Sequence, residues 1–258
     1  MRLLVAGCAL LGLVVGSFLN VVAWRLPRGE SLLRPASHCP ACSAPVRPKD
    51  NVPVLSWLLL RGRCRDCGAP ISRRYPLVEL LTAAVFAGLA ARLGADAALP
   101  AFLYLGGVGV VLALIDLDVH RLPNALTLPS YAVGVALLGG AALVDGSVGP
   151  LLRGLLGMAA LLVLYLLLAL AYPAGMGLGD VKLAGLLGLY LGWLGWGAWA
   201  VGAFAAFLVG GVTGIALMAA GRAGRKSAIP FGPFMLAGAL LAVLAGQALA
   251  SAYVGTVG

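Results

Sequence analysis

Eight apolar stretches divide the chain, at about 3–23, 76–94, 98–115, 125–144, 149–172, 181–197, 198–220 and 229–254. Each approaches the roughly 20 residues that an α-helix needs to cross a bilayer, with about 17 as a lower limit. The boundary between the sixth and seventh, around Gly192–Gly197, is the least sharply marked. One long polar stretch interrupts the pattern, Trp24–Arg74. The pattern predicts an all-α, polytopic membrane protein of about eight transmembrane helices with a small loop domain. Its expected organisation is a first transmembrane helix at 1–23, a loop domain at 24–74 and a transmembrane domain at 75–258. No internal repeat is evident.

Composition agrees with the pattern. Of 258 residues, 62% are hydrophobic and only 10% charged, with mean hydropathy +1.03; a soluble domain of this size carries about a quarter charged residues. The formal charge of +9 would suit a nucleic-acid binder, but its placement points elsewhere. Ten of the 18 Lys and Arg residues lie in Trp24–Arg74, and Arg222, Arg225 and Lys226 share one short connection. Basic loops stay on the cytoplasmic side, so the charge sets topology and meets anionic headgroups. The expected partner is the lipid bilayer, with no nucleic acid. Leu4-Val5-Ala6-Gly7-Cys8 resembles a lipoprotein cleavage box. Too few residues precede it for a signal sequence, so residues 3–23 read as an uncleaved helix and Cys8 as a buried small hydrophobe.

With Trp24–Arg74 in the cytoplasm, counting spans places both termini outside. The third span then delivers Asp116, Asp118, His120 and Arg121 to the cytoplasmic boundary, and the fifth delivers Pro173–Asp180 to the same face. Arg153, at the outer start of the fifth span, is an exception to the charge rule. A carboxylate at or near bilayer depth is expensive and marks a functional site by default. Asp116 and Asp180, on separate segments at similar depth, therefore suggest an aspartyl pair. Two carboxylates held close cannot both ionise easily and share a proton. The ionised member takes a proton from water while the other donates to a scissile carbonyl, which is general acid–base hydrolysis without a covalent intermediate. If the helix continues through Asp116 and Asp118, residues two apart point to nearly opposite faces. Asp116 is the expected catalytic residue and Asp118 an accessory.

Gly175, Gly177 and Gly179, ahead of Asp180, remove side chains, letting a substrate backbone approach and allowing unusual dihedrals. The rival reading is a glycine-rich interhelical loop with Asp180 as the N-cap of the sixth span. Gly12-x3-Gly16, Gly188-x3-Gly192 and Gly210-x3-Gly214 read as helix-packing contacts. Trp193, Trp196 and Trp199 read as an interfacial belt. Glu79 pairs with Arg73 or Arg74, or lines a polar cavity.

Four of the five cysteines form two knuckles, Cys39-x2-Cys42 and Cys64-x2-Cys67, with 21 residues between them. Two such knuckles give tetrahedral sulfur coordination, the pattern of a structural zinc. Two disulfides or a redox motif are the rivals, against a reducing cytoplasm and with no βαβ pattern nearby. Arg61, Arg63 and Arg65 would help keep the thiolates ionised. Four sulfurs leave no open position, so the zinc is architectural and His38 is a neighbour rather than a ligand.

Taken together these residues resemble the bacterial type IV prepilin peptidases, bifunctional leader peptidases and N-methyltransferases, over nearly the whole chain. The matching stretches are Gly16-Ser-Phe-Leu-Asn-Val-Val, Trp24-Arg-Leu-Pro, the two knuckles and Arg74-Tyr-Pro-Leu-Val-Glu79. They continue with Ile115-Asp116-x-Asp118, Leu122-Pro123, Gly177-Leu-Gly-Asp180-Val-Lys182 and Ile229-Pro-Phe-Gly-Pro-Phe234. The resemblance implies an intramembrane aspartyl protease of the GxGD type with Asp116 and Asp180 as its catalytic pair and Gly177, Gly179, Asp118 and Lys182 in support. It implies cleavage of prepilin or pseudopilin leaders on the cytoplasmic side of the inner membrane. Methylation of the new N-terminal amine with S-adenosylmethionine would follow, associated with the zinc-bearing loop. Pro123-Asn124 stands where the family often has Pro-Asp, and Arg63 where many members have Lys. The alternatives are a leader peptidase without methyl transfer, or a transporter using the acids as a proton or cation relay. The almost purely apolar outer halves of the spans argue against the transporter.

Overall fold

The computed structural model describes residues 1–173, 175–222, 224 and 229–257. Among the described residues nine α-helices run in order: α1 Arg2–Arg25, α2 Leu55–Leu59, α3 Arg74–Leu93, α4 Leu99–Val119, α5 Asn124–Val144, α6 Gly149–Ala171, α7 Leu178–Leu194, α8 Trp196–Ala219 and α9 Gly232–Val257. The described residues contain no strand, only two isolated bridges in the loop after α1. Seven of the helices formed by the described residues are long and apolar enough to cross a membrane: α1, α3, α4, α5, α6, α8 and the Gly232–Leu249 portion of α9. The sixth apolar stretch forms α7, whose 17 residues reach only about 25 Å at 1.5 Å per residue. Twelve of those 17 residues are buried. A helix apolar all round belongs inside a bundle, and α7 is surrounded by α5, α6, α8 and α9.

The chain divides into two compact units, Met1–Ala95 and Asp96–Gly258. In the first, α1 packs along α3. A Cβ on Gly12 would meet the Ala83 Cα at 2.7 Å, and one on Gly16 would meet the Glu79 Cα at 2.8 Å. The small-residue pair thus lets two backbones touch, as van der Waals-driven packing in lipid requires. Buried Asn20 donates from Nδ2 to the carbonyls of Gly16 and Tyr75, fixing the register. Where α1 ends, buried Arg25 donates to the Ser31 and Pro35 carbonyls at 3.0 and 2.8 Å and folds the loop back on its helix.

In the second unit α6 and α7 meet through glycine on both sides: a Cβ on Gly157 would lie 2.6 Å from the Gly188 carbonyl oxygen, and one on Gly192 2.7 Å from that of Arg153. Arg153 is explained by the same contact. Its guanidinium donates to the carbonyls of Gly192 and Trp193, capping the C-terminal end of α7 where a cation is favoured. Helices α7 and α8 are separated by one residue, Gly195, at φ 140°. That conformation needs glycine, and it settles the weakest boundary in the pattern.

Two packing expectations require correction. Gly214 faces open space, so the third glycine pair does not form a contact along its length. The tryptophans are not a belt: Trp193 is buried, Trp199 donates from Nε1 to the Gly157 carbonyl at 3.0 Å, and only Trp196 is exposed. Of the basic connection after α8, Arg225 and Lys226 lie outside the described residues.

The glycine contacts set a test. Gly12→Ala forces α1 from α3 and should cost about 1–3 kcal/mol, as overpacking does, read as a lower Tm in detergent. Gly214→Ala, in open space, should leave Tm unchanged or raise it. Equal effects at the two positions would refute the backbone contact at Gly12.

Candidate active site and metal centre

Helix α4 continues through Val119 and ends at His120, whose φ of 53° and ψ of 42° turn the chain out of the helix. Asp116 and Asp118 therefore face opposite ways, Asp116 buried and Asp118 exposed. Buried, Asp116 needs a donor, and it has one from far along the chain: the Gly232 N–H donates to its Oδ2 at 3.1 Å. Gly232 is the first residue of α9. A Cβ there would lie 2.7 Å from the Asp116 Oδ2, so only glycine brings this N–H so close.

Asp180 sits in the first turn of α7 rather than at its N-cap, which is Gly177. Its Oδ2 accepts the Gly177 N–H at 3.1 Å, one half of a capping box. Gly177 has φ −83° and ψ 154°, and Gly179 is helical, so neither uses the unusual dihedrals open to glycine. They supply space. A Cβ on Gly179 would press on Leu122 at 3.2 Å, and Leu122 also touches the Cβ position of Gly232. Leu122 thus joins the surroundings of both acids. Lys182, one turn along α7, donates from Nζ to the Asn124 Oδ1 at 2.9 Å, at the start of α5. Phe231 stacks among Tyr165, Phe207 and Phe234, with ring centroids 5.3–6.5 Å away. The cluster holds the turn that presents Gly232.

Residues of the first unit build a second centre. The Sγ atoms of Cys39, Cys42, Cys64 and Cys67 lie within 4.8 Å of one another. Cys39 and Cys67 are 3.8 Å apart, which is the edge of a sulfur tetrahedron with metal–sulfur bonds of about 2.3 Å. The two knuckles are built alike. Cys39 N–H donates to the Ala44 carbonyl and Ser43 N–H to the Cys39 carbonyl; Cys64 donates to Ala69 and Gly68 to Cys64 in the same way. Ser43 and Gly68 both take φ near +60 to +72°. The chain reads Cys-Pro-Ala-Cys-Ser-Ala-Pro and Cys-Arg-Asp-Cys-Gly-Ala-Pro at these places, a short repeat the sequence reading overlooked.

The N–H groups of Ala41 and Cys42 pull the Cys39 thiol down to about 7. Of the arginines expected to do this, Arg65 is otherwise engaged, holding Asp50 in a fork at 2.6 and 2.9 Å; nearby, Arg47 reaches Asp66 at 2.7 Å. The Arg65 guanidinium keeps the Asp50 carboxyl below its ordinary range. At Cys67 the Ala69 N–H favours the thiolate, but the neighbouring sulfurs and desolvation outweigh it and push the thiol up to about 12. Four sulfurs this close resist ionising together, and a divalent cation at their centre removes the conflict. The donor set fits a metal ion such as zinc. His38 turns its Nδ1 to the Ala36 carbonyl at 3.1 Å and is not part of the cluster.

Comparison with known proteins agrees with both halves. Residues 10–93 match the model of the bacterial peptidase A24 N-terminal domain, and residues 103–217 that of the type IV leader peptidase family. A prepilin leader peptidase/N-methyltransferase of Aeromonas salmonicida is 38% identical, covering 96% of this chain and 93% of its own length. The chain belongs to the type IV leader peptidase family. One of Aeromonas hydrophila with the same name is 42% identical over 71% of each chain. One of Myxococcus xanthus is 44% identical over 70% of this chain, which spans 54% of that relative. No solved structure matches the chain.

For a leader peptidase, the residue that sequence reasoning passed over is Gly232. It stood inside the quoted Pro-Phe-Gly-Pro-Phe stretch, and a glycine between two prolines at the head of an apolar run was the available signal. The metal centre makes a direct prediction: metal analysis of the purified leader peptidase should find one divalent ion per chain. Cys39→Ser combined with Cys64→Ser should release it, and full occupancy in that variant would exclude the four-cysteine site.

Proposed function

We propose that this chain cleaves the leaders of type IV prepilins or pseudopilins as an intramembrane aspartyl endopeptidase, with Asp116 and Asp180 as catalytic residues. It then methylates the new N-terminal amine with S-adenosylmethionine. The observation that carries the reading is that α4 and α7 each bring forward an acid holding a backbone N–H, with Leu122 beside the glycines that flank both. The names of the relatives support the substrate class and the second activity.

In this mechanism the pair carries one proton. The ionised carboxylate takes a proton from water as its oxygen bonds to the scissile carbonyl carbon, while the protonated partner donates to the carbonyl oxygen. The gem-diol collapses as the C–N bond breaks: the departing amine takes the proton from the first carboxyl, a gem-diol hydroxyl gives its proton to the second as the carbonyl reforms, and the pair again holds one proton. Gly177 and Gly179 keep the approach to Asp180 clear, Asp118 is an accessory, and Lys182 with Asn124 ties α7 to α5 beside the site. Cys39, Cys42, Cys64 and Cys67 would hold a zinc ion as an architectural centre that fixes the loop. S-adenosylmethionine, when bound, would supply the methyl group. The basic loop 24–74 and both acids face the cytoplasm, and both termini lie outside, following the charge rule.

Asp116→Asn and Asp180→Asn should each abolish leader release while the protein still inserts, and Gly232→Ala should lower it by at least 100-fold. Asp118→Asn should be mild. Incubation with a prepilin and S-adenosylmethionine, followed by intact-mass analysis, reads leader loss and the added methyl group together. A dead Asp118→Asn beside an active Asp116→Asn would reverse the assignment within α4. Methyl transfer should depend instead on the loop: Asp180→Asn given pre-cleaved pilin should still methylate it. A folded Asp180→Asn protein that binds S-adenosylmethionine yet cannot methylate would refute separate sites.

A further inference from the structure

Helix α2, within the cysteine loop, is turned inside out. Its serine faces inward: Ser56 Oγ accepts the Val52 N–H at 2.9 Å, donates to the Lys49 carbonyl at 3.0 Å, and the residue is 5% exposed. Leu55, Leu58 and Leu59, spaced i, i+3 and i+4 on one face, are 52, 58 and 72% exposed. Trp57 lies on the other side, donating from Nε1 to the Ile71 carbonyl and covering Gly62. A loop domain surrounded by water would place these residues the other way round.

The level of α2 is fixed by one bond. The Val54 N–H, immediately before the helix, donates to the Glu79 Oε2 at 2.7 Å. Glu79 is five residues into α3, about 7.5 Å along the axis from Arg74, and side chains on a helix lean back toward its N-terminus. Helix α2 therefore starts beside the first turn of a helix long and apolar enough to cross the membrane. Val54 adopts φ 60° and ψ −51°, a conformation unfavourable for a β-branched residue, so the bond to buried Glu79 holds the chain against a local preference. Immediately after α2 come Arg61 and Arg63, both exposed. Apolar residues on one face with cations at the edge are the composition of an element that lies in the membrane interface.

We propose that α2 is seated in the headgroup–acyl boundary of the bilayer, with Leu55, Leu58 and Leu59 among the acyl chains and Arg61 and Arg63 against lipid phosphates. The cysteine knuckles are then clamped to the membrane surface at two places, through Glu79 on α3 and through lipid.

The test uses the full chain in nanodiscs of phosphatidylethanolamine and phosphatidylglycerol, which expose both membrane faces. Leu58→Cys and Leu59→Cys are compared with Glu30→Cys in the same loop, the unsubstituted protein giving the background of the native cysteines. A membrane-impermeant maleimide should label Glu30→Cys at least ten-fold faster than either leucine position. A nitroxide at position 58 should be relaxed by oxygen in preference to an aqueous nickel chelate. Equal labelling rates would place α2 in water and overturn the proposal. Slow labelling with a nitroxide reached by neither agent would mean that protein covers the leucines, which overturns it equally.

Discussion

The bond from the Gly232 N–H to the Asp116 carboxylate is the constraint around which the second unit is arranged. A buried carboxylate in apolar surroundings is costly unless donors meet it. The donor here comes from 116 residues further along the chain, and it comes from backbone, which a substitution elsewhere cannot remove. Presenting it requires α9 to begin exactly where α4 ends, which in turn requires the prolines on either side of Gly232 and the aromatic residues around Phe231. Glycine at 232 follows from the distance alone, since a side chain would occupy the carboxylate's place.

The position of Asp180 depends on packing of another kind. Helix α7 is short, apolar from Leu183 onward and enclosed by four others, with glycines against α6 and the Arg153 guanidinium on its C-terminal carbonyls. Packed on all sides, it cannot slide along its axis without separating backbones already in contact. Asp180 and Gly177, in its first turn, inherit that rigidity. Functional groups on fixed elements keep their geometry better than groups on loops, and the catalytic role proposed for Asp180 would draw on that, the fixed element here being the one that spans least.

Much of this was legible in the chain. Apolar run lengths located all eight long helices to within a few residues, because lipid permits only helices or closed barrels and run length then decides. Cys39, Cys42, Cys64 and Cys67 were legible from spacing, since a metal needs its ligands on tight turns. The opposed faces of Asp116 and Asp118 followed from helical geometry. The Gly232–Asp116 and Val54–Glu79 bonds were not legible, because both are pairings distant in sequence that no periodicity encodes. The misread tryptophans and Gly214 have a different cause: residue type suggests an environment, but only the neighbouring helix decides which face is covered.

The two backbone donors share a further property. Gly232 opens α9 and Gly177 caps α7, so each acid holds an N–H from the unsatisfied first turn of a helix. Helix N-termini carry partial positive charge, and two of them directed at one pair of carboxylates favour the presence of a negative charge there. Mutual repulsion between the acids opposes a second one. These opposed effects favour a pair that keeps one charge and one proton, which is the state that general acid–base hydrolysis uses. Lys182 does not upset this balance by forming an ion pair with its neighbour at the head of α5, because that neighbour is the neutral Asn124. In a membrane, where side-chain charges are scarce and expensive, helix ends are the available source of fixed positive potential, and this fold brings two of them to the acids.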